Sequence, residues 1–221
     1  MSTLLTINVT NHISATQTFY FFQHPSMYTG GSRVYSNSLY SQALGNYAST
    51  GSVLTFQVSL QPYAGIQQAH QQPQVGQSSG FASAYRAIEL APASGTANDC
   101  TTASVSPLGL SPATVGPNVE PGAFRIIMPT YQPPVLYNIG SAVQANGSLL
   151  LSNFVVANPA STTDCQPILR YYVQTGSYMA GSVINFTTSS VTAALCDFTG
   201  GYSTMNVSLN PDGTWTVQAI R

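Results

Sequence analysis

Apolar residues recur at every second position along this chain, and that period of two is the strongest constraint on what it can fold into. Leu5, Ile7 and Val9 alternate with Thr6, Asn8 and Thr10. The pattern returns in Leu54, Phe56, Val58 and Leu60, again in Met205, Val207 and Leu209, and again in Trp215, Val217 and Ala219. Successive side chains of a strand point to opposite faces, so this is the signature of half-buried strands. Between the last two runs lies Asn210-Pro211-Asp212-Gly213, where proline presets the first turn position and Gly213 can take positive φ. A tight hairpin with a bulge is expected there. Further strands are expected over residues 18–23, 85–90, 124–128, 149–156, 169–175 and 183–187. Fourteen prolines and eighteen glycines break the chain often and disfavour long helices. The expected fold is all-β: an antiparallel β-sandwich or jelly-roll-like barrel.

Residues 91–122 break the rhythm, being dominated by Pro, Ala, Ser, Thr and Gly without periodicity. A long loop is expected there, and it is the one place where the chain has grounds to divide. No repeat relates the two halves, so residues 1–221 are read as a single β-sandwich domain. The polar insert at residues 67–74 is expected as an exposed loop.

Charge is nearly absent. There is no lysine, and five arginines with six carboxylates make 5% of the 221 residues, against about 25% in an ordinary soluble domain. Nucleic-acid binding is excluded in practice, because phosphate neutralisation needs many basic side chains. Attraction to an anionic membrane is disfavoured for the same reason, and no apolar run suits a spanning helix. Residues 1–8 have neither a basic segment nor a sustained apolar core, so a cleaved secretory signal is not expected. Ser, Thr, Asn and Gln replace charge, and proteins near neutrality with few surface charges tend to associate. Assembly held by such groups is expected to respond weakly to salt and to mild changes of pH.

The catalytic inventory is poor, and no enzyme activity or cofactor is expected. Gly76-Gln77-Ser78-Ser79-Gly80 matches a nucleophile-elbow pattern, but His12, His24 and His70 all precede Ser78 and the flanks are Gln-rich. The histidines lack metal-ligand spacing. The cysteines say more. Cys100, Cys165 and Cys196 are odd in number, and each adjoins an aspartate: Asp99, Asp164 and Asp197. Three readings stay open: thiols kept reduced by a neighbouring carboxylate until a partner and an oxidant arrive, a Cys/Asp metal site, or inert buried thiols. Under the first, Cys100 in the long loop is expected to bridge to another chain, while Cys165 and Cys196 pair internally.

Several segments resemble the octin family: Thr6-Ile7-Asn8-Val9-Thr10-Asn11, Phe19-Tyr20-Phe21-Phe22, Val34-Tyr35-Ser36-Asn37-Ser38-Leu39, and Asn210-Pro211-Asp212-Gly213-Thr214-Trp215-Thr216-Val217. They cover 24 of the 221 residues. Octins assemble into dense octahedral crystals in fungal vacuoles, sediment to report gravity, and are held by disulfides between subunits. The resemblance implies a non-enzymatic structural protein whose partner is itself, with the cysteines as the positions to carry over. It implies a vacuolar location; the lack of a visible signal leaves the cytoplasm as the alternative. Two other classes fit the composition, a pore-forming β protein and a carbohydrate-binding sandwich that uses some of the thirteen tyrosines as stacking platforms.

Overall fold

The protein is almost wholly β, with 51% of residues in strands and 5% in helices. The structure, a computed structural model, describes residues 3–31 and 33–221; Met1 and Ser2, which open the stretch read above for a secretory signal, lie outside them. The first half contains β1 (Leu4–Asn11), β2 (Gln17–Gln23), β3 (Met27–Thr29), β4 (Val34–Leu44), α1 (Tyr47–Thr50), β5 (Leu54–Ser59), β6 (Tyr63–Ala69) and β7 (Ala82–Ala87). Next come β8 (Cys100–Val105), β9 (Leu108–Leu110), β10 (Phe124–Ile127), β11 (Leu136–Ala145), β12 (Ser148–Val156) and β13 (Thr162–Gln166). The chain closes with β14 (Arg170–Thr175), β15 (Val183–Ile184), α2 (Phe186–Val191), β16 (Ala194–Asp197), β17 (Thr204–Leu209) and β18 (Trp215–Ile220).

Ten strands form one long sheet in the order β16-β14-β2-β4-β12-β11-β5-β1-β17-β18, with β15 beside β4 and the β6–β7 pair beside β11. The sheet curls until its ends meet: Trp215 Nε1 donates to the Thr192 carbonyl, 2.8 Å away, just before β16. The result is a nearly closed barrel. A second sheet runs β3-β13-β10-β8-β9. Most pairings are antiparallel, while β1–β17 and β8–β10 run parallel.

The alternating segments behave as their pattern dictates. Leu5, Ile7 and Val9 are buried in the barrel interior with Leu54, Phe56, Val58, Met205, Val207 and Leu209. The aromatic run on β2 is buried on both faces. Phe19 and Phe21 enter the barrel, where Phe21 stacks on Phe56 at 4.5 Å, and Tyr20 and Phe22 point outward under Tyr172, Tyr178 and Phe186. The barrel wall forks at β11. Residues 136–142 pair with β6, whereas Ala145 pairs with Val58 of β5. That fork opens a second core, in which Ile66, Tyr137, Ile139 and Val155 of the large sheet pack on Phe124, Ile126 and Leu110 of the small one. Gly140 lies at the fork because the Tyr28 hydroxyl occupies the space a Cβ would need; that hydroxyl donates to the Asn153 carbonyl at 2.7 Å.

Four local expectations need correcting. Residues 91–122 are not one loop, since β8 and β9 form a hairpin inside them. Of the polar insert, Gln67, Gln68 and Ala69 belong to β6, and Gln67 is buried with its amide donating to Ser83 Oγ at 3.1 Å. The strand expected over 183–187 stops at Ile184. Asn185 Oδ1 accepts from Thr188 N and starts the short α2, which swings Phe186 over Phe22. The strand expected over 85–90 begins three residues earlier, at Ala82. The hairpin at residues 210–213 forms as its sequence requires: Asn210 N donates to the Thr214 carbonyl at 2.8 Å, and Gly213 takes φ 83°.

Candidate functional site

The cysteine–aspartate doublets are explained by strand geometry. Neighbouring residues face opposite ways, so the Cys165 and Cys196 thiols enter the two cores while their carboxylates, like that of Asp99, turn to fixed polar partners. Cys165 of β13 is buried in the second core, and Asp164 receives a two-pronged contact from Arg125 of β10, at 2.6 and 2.7 Å. Cys196 of β16 is buried in the barrel, and Asp197 accepts from Arg170 of β14 at 2.7 Å and from the Thr199 hydroxyl at 2.6 Å. Cys100 opens β8 and is 5% exposed, while Asp99 accepts from Gly116 N at 2.8 Å.

All three thiols are free. The internal Cys165–Cys196 bridge is not made, because the two lie in separate cores on different sheets. Cys100 opens β8 instead of lying in one long open loop, and it is buried within the single chain. Burial pushes the Cys165 and Cys196 thiols up to about 12. It also raises the Cys100 thiol, where Arg125 pulls the other way and Asp99 adds a smaller push upward. Desolvation, not the adjacent carboxylate, therefore keeps the thiols protonated. Among the described residues no group of three or more His, Cys, Asp or Glu converges on a point where a metal ion would sit.

The Gly76–Gly80 pattern lacks the strand-to-helix setting of a nucleophile elbow. Ser78 forms an isolated bridge with Ser182, and its hydroxyl donates to the Gly80 carbonyl at 2.8 Å. His70 stacks flat on Phe81 at 3.9 Å. His24 Nδ1 donates to the Pro25 carbonyl at 2.9 Å, and His12 Nε2 bonds the Thr10 hydroxyl at 3.2 Å. These four residues form no nucleophile–base pair.

The outer surface is the feature that sets this molecule apart. Two ion pairs consume four of its eleven charged side chains, Asp99 is buried, and Arg86 is half-buried with a hydrogen bond to the Leu110 carbonyl. Exposed charge outside the ion pairs is left at Arg33, Glu89, Glu120, Asp212 and Arg221. Over 10244 Å² of surface that is about one charge per 2,000 Å². Uncharged polar ladders fill the gaps. Thr55 Oγ1 donates to Asn8 Oδ1 at 3.0 Å, Asn8 Nδ2 donates to Asn206 Oδ1 at 3.1 Å, and Thr10 meets Ser208 at 3.0 Å. Met179 and Val191 stand 75% and 78% exposed. Sequence reasoning placed Trp215, Val217 and Ala219 on a half-buried strand. Instead β18 pairs with β17 alone, and all its residues after Trp215 are exposed. It carries neither charge nor proline.

No protein-family model, no curated protein and no solved structure matches this chain. Among the described residues no helix is long and apolar enough to cross a membrane.

Proposed function

We propose that this is a non-enzymatic structural protein that assembles with copies of itself into dense bodies. One observation carries the reading: exposed charge is spaced at about one per 2,000 Å². A stable interface takes about 800 Å² from each partner, so most interface-sized patches here hold no charge. Copies meet without like-charge repulsion and without stripping water from ions. The exposed Met179 and Val191 add apolar contact groups to that surface. The resemblance to octins supports the same reading and extends it to intracellular crystals that sediment in a vacuole and serve gravity sensing. Because the thiols are buried, the contacts are non-covalent.

Light scattering of the purified chain tests this. Particle mass is expected to rise steeply with concentration and to be the same with and without reductant or moderate salt. Val191→Lys with Met179→Lys should raise the concentration needed for assembly by about tenfold or more, since each like charge placed in a contact opposes it. A chain that stays monomeric up to its solubility limit overturns the proposal.

A further inference from the structure

A cavity of about 90 Å³ lies where the barrel meets the second core, walled by Leu60, Leu90, Val143, Leu169, Tyr171 and Gln23, among others. Val143 and Tyr171 belong to the barrel core, Leu169 packs against it, and Leu90 packs against the second core. No charged residue lines it among the described residues. Tyr171 is 1% exposed, and its hydroxyl makes no hydrogen bond among the described residues. That hydroxyl is nevertheless not one of the sealed, unpartnered polar atoms, so it opens on the space its side chain lines. Burial alone raises its pKa, which keeps it a neutral hydroxyl that can both donate and accept. The neighbouring amides are spent or sealed. Gln23, directly opposite Tyr171 in the β2–β14 ladder, donates Nε2 to the Ile168 carbonyl at 3.0 Å, and its Oε1 has no accessible surface. Gln61 donates Nε2 to the Pro62 and Ile88 carbonyls, both at 2.9 Å.

A buried hydroxyl without a partner is costly, and one that faces a cavity is a docking point for a ligand. The walls set the rest of that ligand's chemistry. A charged group would lose its water with no counter-charge to meet it, and a polyol would press extra hydroxyls against Leu90, Val143 and Leu169. A plain hydrocarbon would leave the Tyr171 hydroxyl unpaired. The volume is below the roughly 150 Å³ of an engineered apolar cavity that accepts benzene, which points to about four or five carbons. We propose that this cavity binds a short-chain aliphatic alcohol, its hydroxyl on that of Tyr171 and its chain among the leucines and Val143. The site is independent of self-assembly, because neither Met179 nor Val191 lines it.

Titration of the dilute full chain with 1-butanol, followed by saturation-transfer NMR, tests the assignment, with butylammonium and glycerol as comparators. Butanol is expected to saturate at about millimolar concentration, and each comparator should bind about tenfold more weakly or worse. Tyr171→Phe keeps the ring that packs edge-on to Phe56 and Phe198 and removes only the hydroxyl. It should weaken butanol about tenfold without lowering the melting temperature. Leu169→Phe, which narrows the cavity from a half-buried position, should weaken butanol at least as much, whereas Tyr47→Phe, an exposed tyrosine, should change nothing. The proposal is overturned if butanol does not saturate or if either comparator binds equally well. It is also overturned if folded Tyr171→Phe or Leu169→Phe protein retains full affinity.

Discussion

Cys165 sits at the back of the second core, opposite Phe124 on β10 and Tyr28 on β3 in the strand register. Burial pushes its thiol and that of Cys196 up to about 12, which leaves little reactive thiolate near neutral pH. A thiol-specific reagent at pH 8 is therefore expected to label neither in the native protein and all three cysteines once denaturant is added. One rapidly labelled native thiol would show that a cysteine reaches the surface after all. The doublets with aspartate were legible in the sequence, but their meaning was not. Which neighbour turns inward depends on strand register, and segments such as Thr162-Thr163-Asp164-Cys165 have no apolar alternation to reveal it. The same holds for Cys100, set among Thr, Ala and Ser that read as loop yet form β8.

Strands facing one core and one polar surface, such as β1, β5 and β17, were plain in the sequence because only one face is apolar. β4 was not. Its middle residues Ser36, Asn37, Ser38 and Leu39 are all buried, with β2, β12 and β15 alongside, so polar and apolar residues share both faces. Asn37 Nδ2 donates to Ser79 Oγ and the Leu151 carbonyl, partners that only the fold supplies, while its Oδ1 is buried without a partner among the described residues. Ion pairs also join elements, with unequal weight. Arg125 ties β10 to β13 with side chains 17% and 11% exposed, whereas Arg170 ties β14 to β16 at 42% and 33%. Arg125→Met strands a nearly buried carboxylate and is expected to cost about 2–3 kcal/mol in urea unfolding. Arg170→Met acts on a solvent-screened pair whose aspartate keeps Thr199, so about 0.5 kcal/mol is expected. Equal losses would mean that exposure does not govern these pairs.

At the scale of the whole molecule, what was legible was composition: the scarcity of charge is visible in any count, and the fold concentrates it by pairing four charges off. What was not legible was the barrel's closure and the exposure of β18, because strand order depends on long-range pairing such as β1 with β17. The same scarcity shapes the response to pH. On the acid side Asp197 and Asp212 are held below the ordinary carboxylate range, chiefly by the hydroxyls of Thr199 and Thr214. Their stabilising effect is present above the unfolded carboxylate range and fades as pH falls below it, but both are largely exposed, so the loss is small. On the alkaline side the buried Cys165 and Cys196 keep protons that the unfolded chain releases from about 9, and do so up to about 12. A raised folded pKa gives stability that is complete below the unfolded value and lost as pH climbs through the window. Each thiol contributes a slope of about 1.4 kcal/mol per pH unit there, and the buried, upward-shifted Tyr28 and Tyr171 add to the loss above about pH 10. The melting temperature is therefore expected to be nearly flat between about pH 5 and 8 and to fall steeply above about 9. Replacing Cys165 and Cys196 with alanine lowers the plateau by leaving small cavities, yet should make the fall between about pH 9 and 10 shallower. An undiminished alkaline slope in that double variant would show that other groups govern the alkaline limit.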